Sequence, residues 1–221
     1  MNSVCHRIPL HCSAEQKLAL ANLQSTFSQA CNLVARFARD HKCWNRVALH
    51  HLTYRLVREA FPSLGAQMAC NAIYSVCRAC RWAYQHPLSP FARALRDGRP
   101  LALLQFLASS PVYFDRHTFT IRDQVLSLFT LDGRLHFQLS LTTEQVEHFL
   151  KLKMKEVALV QRPILGAAQT YELVFWFVNQ EQPSTVALSS AAELAPEHLA
   201  VGVLDRRPPY LSEPHALEPA L

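Results

Sequence analysis

The chain has 221 residues, of which half are hydrophobic and 18% are charged. A chain of this length and composition can bury one ordinary core, or a core with a smaller inserted unit, and this favours a folded chain over disorder of the whole chain. Its longest apolar stretches, such as residues 101–107, are shorter than the roughly 20 residues that a membrane span needs. We therefore expect no membrane partner.

The cysteines and the N-terminus indicate a cytoplasmic protein. Seven cysteines are present, an odd number without regular spacing, which favours reduced thiols over a disulfide framework. Cys5, His6 and Arg7 stand where a signal peptide has its apolar core. Both observations predict a cytoplasmic location.

The net charge of +5 hides an asymmetry between two parts of the chain. Residues 1–100 hold 13 Lys and Arg against four acids, a net charge of +9, whereas residues 101–221 hold nine against 13, a net charge of −4. A basic part that is rich in Arg and carries Tyr and Trp is typical of a surface that faces phosphate groups. The alternative is a basic face that only contacts solvent.

The first 100 residues predict one short strand and three helices. Ser13 and Gln16 have the spacing of a capping box, so the first helix begins there. Prolines at positions 62 and 87 end the second and third helices, because proline disfavours helical geometry in the residue before it. The predicted elements are a strand over residues 4–10 and helices over residues 13–40, 46–61 and 66–86.

Polar and aromatic side chains recur at spacings of three and four on the second and third helices, which places each set on one helix face. Three lysines spaced two apart, at the passage from a predicted helix to a strand, are weaker candidates for backbone contacts, since exposed lysines are ordinary there. The candidate nucleic-acid-binding residues are His51, Tyr54, Arg55, Arg58, Gln67, Asn71, Tyr74, Arg78, Arg81, Lys151, Lys153 and Lys155.

The second part of the chain is rich in strands. Its segments are β-branched or aromatic and bounded by turn residues, Asp132-Gly133 is a hairpin signal, and Thr142 or Thr143 caps a short helix over residues 144–151. The predicted fold is α+β, a small β-barrel or sandwich with a helical insert. Strands are predicted over residues 111–114, 118–122, 125–130, 135–141, 156–162 and 170–178. The predicted units are residues 1–12 (first strand), 13–100 (insert), 101–178 (barrel) and 179–221 (linker and irregular tail).

Several kinds of chemistry have no matching motif. The five glycines are too far apart for a phosphate-cradling loop, and no Gly-x-Ser-x-Gly elbow exists. Cys77 and Cys80 lack the second pair that a structural zinc site needs, so we interpret them as core residues of the third helix. We expect no catalytic residue, no metal and no cofactor.

Seven stretches of the chain follow one another in a recognisable order: residues 13–32, 49–62, 66–69, 72–73, 113–116, 127–130 and 131–134. In this order they resemble the N-terminal half of TnpB, the transposon-encoded RNA-guided DNA nuclease related to the compact type V CRISPR effectors. The resemblance covers residues 1 to about 205. It implies an OB-like wedge barrel interrupted by a helical recognition insert, in which these parts hold the guide RNA scaffold and contact a short duplex motif beside the target.

The chain departs from the family's pattern at residues 200–207. Family members have Gly-Val-Asp-Leu-Gly there, beginning a nuclease domain with its first catalytic carboxylate. In this chain Leu204 stands at the expected position and Asp205 is displaced by one, which on a strand turns the side chain to the opposite face. Sixteen residues follow Asp205, so we expect the other catalytic acids to be missing and the chain not to be an enzyme by itself.

Three interpretations stay open at this point. The first is a nuclease-less, TnpB-like protein that binds a guide or scaffold RNA, with or without engaging a target DNA duplex. The second is a non-catalytic subunit of a split RNA-guided nuclease, whose catalytic subunit is encoded separately. The third is a decayed remnant or a structural protein whose basic faces contact only solvent.

Overall fold

The computed structural model describes residues 3–162, 170–178 and 201–203. Within these ranges the fold is α+β, the class that the sequence predicts. The helices are α1 (Ala14–Asp40), α2 (Arg46–Ala60), α3 (Ala66–Gln85), α4 (Ala92–Arg96) and α5 (Thr143–Lys151). The strands are β1 (Ser3–Leu10), β2 (Leu104–Phe106), β3 (Val112–Phe114), β4 (Phe119–Arg122), β5 (Val125–Thr130), β6 (Gly133–Gln138), β7 (Lys153–Arg162), β8 (Thr170–Val178) and β9 (Val201–Val203).

The described strands form a four-stranded antiparallel sheet in the order β1-β8-β7-β3, a three-stranded sheet in the order β4-β5-β6, and the pair β2-β9. Strand β1 pairs with β8 along its whole length, from Ser3 opposite Val178 to Leu10 opposite Tyr171. Helices α1 to α4 lie between these paired strands in sequence. Hydrogen bonds do not close the described strands into a single ring, so these strands form open sheets and no closed barrel.

Side-chain caps fix the starts of three helices. The Ser13 hydroxyl accepts a hydrogen bond from the backbone N–H of Gln16, and the Gln16 side chain accepts one from the backbone N–H of Ser13. The predicted capping box is therefore confirmed. Thr142 forms the same box with Gln145 at the start of α5. Asn45 caps α2 by accepting from two backbone N–H groups. These local contacts set where each helix begins.

The core is continuous between the helices and one face of the four-stranded sheet. Phe175 and Phe177 of β8 are fully buried there, and Phe149 of α5 packs edge-on against them with ring centroids 4.9 and 5.0 Å away. Gly65 is the residue before α3, and the ring of Phe129 in β5 lies close against it. A Cβ atom at residue 65 would be 2.7 Å from that ring. The start of α3 is therefore fitted against the three-stranded sheet.

Three short elements were not predicted. Helix α4 and strand β2 are too short for a periodic pattern to indicate them. Strand β9 lies in the segment predicted to be irregular, and it pairs with β2, placing Leu104 opposite Val203. Among the described residues, no helix has the length and apolarity needed to cross a membrane.

Candidate nucleic-acid interface

A cleft of about 590 Å³ lies where α3 meets β3 and β7. Four of the predicted contact residues line it, three from α3 and one from β7, although more than 80 positions separate the two groups in sequence. We call it the junction cleft. It is lined by Arg46, Gln67, Asn71, Tyr74, Tyr113, Phe114, Asp115, Arg116, His117, Phe119, Met154, Lys155, Glu156 and Val157.

Two arginines flank the aromatic wall of the junction cleft. The guanidinium carbon of Arg46 lies 4.7 Å from the ring centroid of Tyr74, and that of Arg78 lies 5.7 Å from the same ring. Arg78 is also 4.5 Å from the ring centroid of Tyr113. All three distances are within the range of cation–π attraction, which is about 6 Å. Each ring and its neighbouring guanidinium groups therefore hold one another in place.

Arg78 is inside the protein, which corrects the predicted exposed stripe on α3. Its side chain is only 8% exposed and forms an ion pair with Glu156 of β7, itself 14% exposed. Its Nε and Nη2 atoms are buried without a hydrogen-bond partner among the described residues. The helix spacing is as predicted, but β3 and β7 pack over this part of the face. Arg78 therefore supports the floor of the cleft and joins α3 to the sheet.

Tyr113 borders the same buried arginine. Burial raises the pKa of its phenol, and the nearby positive charge of Arg78 lowers it by a smaller amount. The phenol consequently stays neutral at physiological pH. It presents a ring and a hydroxyl group to its surroundings, and no negative charge.

Two amide side chains cross from α3 to the β3 segment. Gln67 donates from Nε2 to Oδ2 of Asp115, and Asn71 donates from Nδ2 to the backbone carbonyl of Tyr113 at 3.1 Å. The other carboxylate oxygen of Asp115, Oδ1, accepts from the backbone N–H groups of His117 and Thr118 at 3.0 and 3.2 Å. Each amide is thus held in a defined orientation at the cleft.

The four predicted contacts of α2 have different surroundings. Arg55 is 90% exposed and pairs with Glu59 one turn along the helix, and His51 is exposed beside it. Tyr54 is half-buried and stacks on the ring of His50, with 4.8 Å between centroids. Arg58 donates to the backbone carbonyl of Leu64 and so holds the turn between α2 and α3.

Arg81 and two of the lysines lie away from the junction cleft. Arg81 lines a separate hollow of about 450 Å³ at the turn between α1 and α2. Lys151 pairs with Glu147 within α5 at 2.9 Å, and Lys153 is exposed at the start of β7. Lys155 is the extra residue of a register shift in β7, and this irregularity lets it line the cleft. The three lysines therefore do not form one edge.

Sequence reasoning missed two cations of the site, Arg46 and Arg116. Arg46 is in the first turn of α2, but at 3.6 residues per turn it lies off the helix face that carries His51 and Arg55, so the spacing of that face does not indicate it. Arg116 comes from the turn after β3, and only the pairing of β3 with β7 brings it to the cleft. No spacing rule indicates such a residue.

The interpretation of Cys77 and Cys80 as core residues of the third helix is confirmed. Cys77 and Cys80 are fully buried in α3, and burial raises the pKa of the Cys77 thiol to about 11. A thiol with that pKa stays protonated near neutral pH and is a poor nucleophile or metal ligand. All seven cysteines lie among the described residues, and none forms a disulfide.

A scan against protein-family models found no match, and neither did a search of curated proteins. The function is therefore inferred from the residues and their geometry.

Proposed function

We propose that this chain binds nucleic acid through the junction cleft, as a nuclease-less, TnpB-like protein that carries a guide or scaffold RNA. One observation carries the proposal. Predicted contact residues from two separate segments, α3 and the start of β7, line one cleft. The cations Arg46 and Arg116 lie beside them in the same cleft. His51 and Arg55 are exposed on α2, on the side of that helix away from Arg46.

The cleft offers two kinds of group that nucleic-acid binding uses, cations and amides. Arg46, Arg116 and Lys155 supply positive charge for phosphate oxygens, which provides most of the affinity and makes it depend on salt. Its amide side chains suit hydrogen bonding to base edges. The carboxylates of Asp115 and Glu156 already accept hydrogen bonds from protein side chains, which supports binding rather than hydrolysis as the chemistry of this cleft.

The position of the cleft also supports the family-level proposal. It lies between the helices and the four-stranded sheet, and α1 to α4 stand in sequence between β1 and the remaining strands. In the family that the sequence resembles, a wedge domain and a helical insert hold the RNA scaffold. We propose that the sheets of this chain form such an OB-like wedge domain. We further propose that the protein binds a target DNA duplex without cleaving it and that it is cytoplasmic.

Sequencing of co-purified RNA tests this proposal. The chain is expressed together with the DNA that flanks its gene, purified, and the RNA that accompanies it is sequenced. We expect one discrete RNA species from the neighbouring locus, and its loss in an Arg46→Ala/Arg116→Ala variant. The Arg93→Ala variant removes an exposed arginine of α4 and serves as the matched control. Random cellular RNA, or none, would contradict the proposal.

A further inference from the structure

The two amides of the junction cleft each have only one orientation that satisfies their partners. Gln67 faces a carboxylate oxygen of Asp115, and Asn71 faces the backbone carbonyl of Tyr113. Both partners accept hydrogen bonds and donate none when Asp115 is ionised. The NH₂ end of each amide must therefore point at the protein, and its carbonyl oxygen is the end left for a ligand.

The cleft consequently presents acceptors where a base edge would lie. Among the described residues, no hydrogen bond reaches Oε1 of Gln67 or Oδ1 of Asn71, and both residues line the cleft. Cytosine, adenine and guanine carry exocyclic amino groups that donate, whereas uracil and thymine place a carbonyl acceptor where cytosine has its amino group. An acceptor facing an acceptor leaves both without a partner, and unpaired polar groups in an interface reduce affinity.

We propose that the junction cleft selects a nucleobase with an exocyclic amino group, using Oε1 of Gln67 and Oδ1 of Asn71 as acceptors. The inference deepens the proposed nucleic-acid binding and rests on it. It assigns Asp115 as the positioning residue, because its carboxylate decides which end of the Gln67 amide faces the ligand.

The geometry of Asp115 supplies a variant that reverses this choice. Oδ1 accepts from two backbone N–H groups of the following turn and from the Thr118 hydroxyl, so an oxygen must stay at that place. In Asp115→Asn the NH₂ group therefore replaces Oδ2 and faces Gln67. Gln67 then turns its carbonyl oxygen to Asn at 115 and its NH₂ group to the cleft, which favours a base carbonyl over an amino group.

Binding of two homopolymers measures the effect. The full chain is titrated against fluorescently labelled oligocytidylate and oligouridylate of about 15 nucleotides, a length in the range of single-stranded binding sites. For the wild type we expect about tenfold tighter binding of oligocytidylate, the discrimination expected of a well-placed base contact. Asp115→Asn reduces the preference to near unity or inverts it, while the salt dependence stays the same because no cation is removed.

Two further variants make the result decisive. Gln67→Met removes the acceptor and keeps the length of the side chain, so it also lowers the preference, and Arg93→Ala leaves it unchanged. Thermal unfolding of each variant shows that it is folded. Equal binding of both homopolymers by the wild type, or an unchanged preference in Asp115→Asn and Gln67→Met, overturns the inference and leaves the proposed function standing. Binding of neither homopolymer, nor of any RNA, overturns both.

Discussion

Helices α2 and α3 carry similar patterns of arginine, tyrosine and polar residues at spacings of three and four, yet the two faces have different environments. Arg55 of α2 is 90% exposed, and its ionic partner is on the same helix. Arg78 of α3 is 8% exposed, and its partner Glu156 is on a strand of the sheet. Spacing decides which residues share a helix face, but packing of distant elements decides whether that face contacts solvent or protein.

The difference has energetic consequences. An exposed ion pair at spacing i,i+4 contributes about 0.3–0.5 kcal/mol to stability. Removing one partner of a buried ion pair costs about 3–5 kcal/mol, because the remaining charge is left buried without compensation. The same substitution in the two faces should therefore have effects that differ several-fold.

The largest expected effect is that of Arg78→Ala. We expect it to lower the free energy of unfolding by about 3–5 kcal/mol, since Glu156 is left buried and unpaired. Arg55→Ala should lower it by less than about 0.5 kcal/mol. Urea denaturation followed by circular dichroism measures both. Similar small losses in the two variants would mean that Arg78 is not held as the structure has it.

A double variant separates the buried charge from lost packing. In Arg78→Met/Glu156→Leu both charges are replaced by apolar groups of similar volume, which often restores stability in buried ion pairs. We expect it to be more stable than Arg78→Ala alone. A double variant as unstable as the single one would assign the loss to packing around Tyr74 and Tyr113.

A middle-sized effect is expected at Gly65, which lies between the two helices. A Cβ atom there would be 2.7 Å from the Phe129 ring, so Gly65→Ala forces the start of α3 and β5 apart. Overpacking of this kind costs about 1–3 kcal/mol. Phe129→Leu in the same chain should recover part of that loss, and thermal unfolding of the two single variants and the double variant measures the coupling. Additive losses would contradict the close approach.

The smallest effect concerns another contact between distant elements, the pair formed by His6 of β1 and His148 of α5. Their rings share a hydrogen bond of 2.7 Å. The pKa of His6 is lowered, first by burial and then by His148, while Glu144 raises it. The unfolded chain then takes up a proton at a higher pH than the folded one, so stability is lost as pH falls below about 6.5.

Unfolding temperatures measured between pH about 7.5 and about 5.5 test this dependence. We expect the decrease at low pH to be smaller in His148→Gln than in the wild type. His51→Gln, on the exposed face of α2, should leave the decrease unchanged. A decrease of the same size in His148→Gln would show that the histidine pair does not contribute.

Local signals predicted most of the fold. The capping box of Ser13, the helix ends before prolines, and the strands over residues 125–130 and 170–178 all depend on neighbouring residues. The pairing of β1 with β8 and of β2 with β9 joins segments far apart in sequence, and no pattern in either segment names its partner. The α+β class was therefore predictable, and the sheet order was not.

The residues of the candidate site also fall into a group that the sequence could predict and a group that it could not. Gln67, Asn71 and Tyr74 were predictable because they share a helix face. The burial of Arg78 and the contribution of Arg116 depend on how β3 and β7 meet α3, which is a property of the packed molecule. The sequence indicates which residues share a helix face, and it could not decide which of them would be covered.

The central claim is that the junction cleft binds nucleic acid, and a salt titration tests it most directly. Affinity for a labelled RNA is measured at several salt concentrations for the wild type, Arg46→Ala/Arg116→Ala and the control Arg93→Ala. We predict weaker binding by the double variant and a salt slope smaller by about one per lost phosphate contact, with the control unchanged. Equal affinities and equal slopes in all three proteins would contradict the claim.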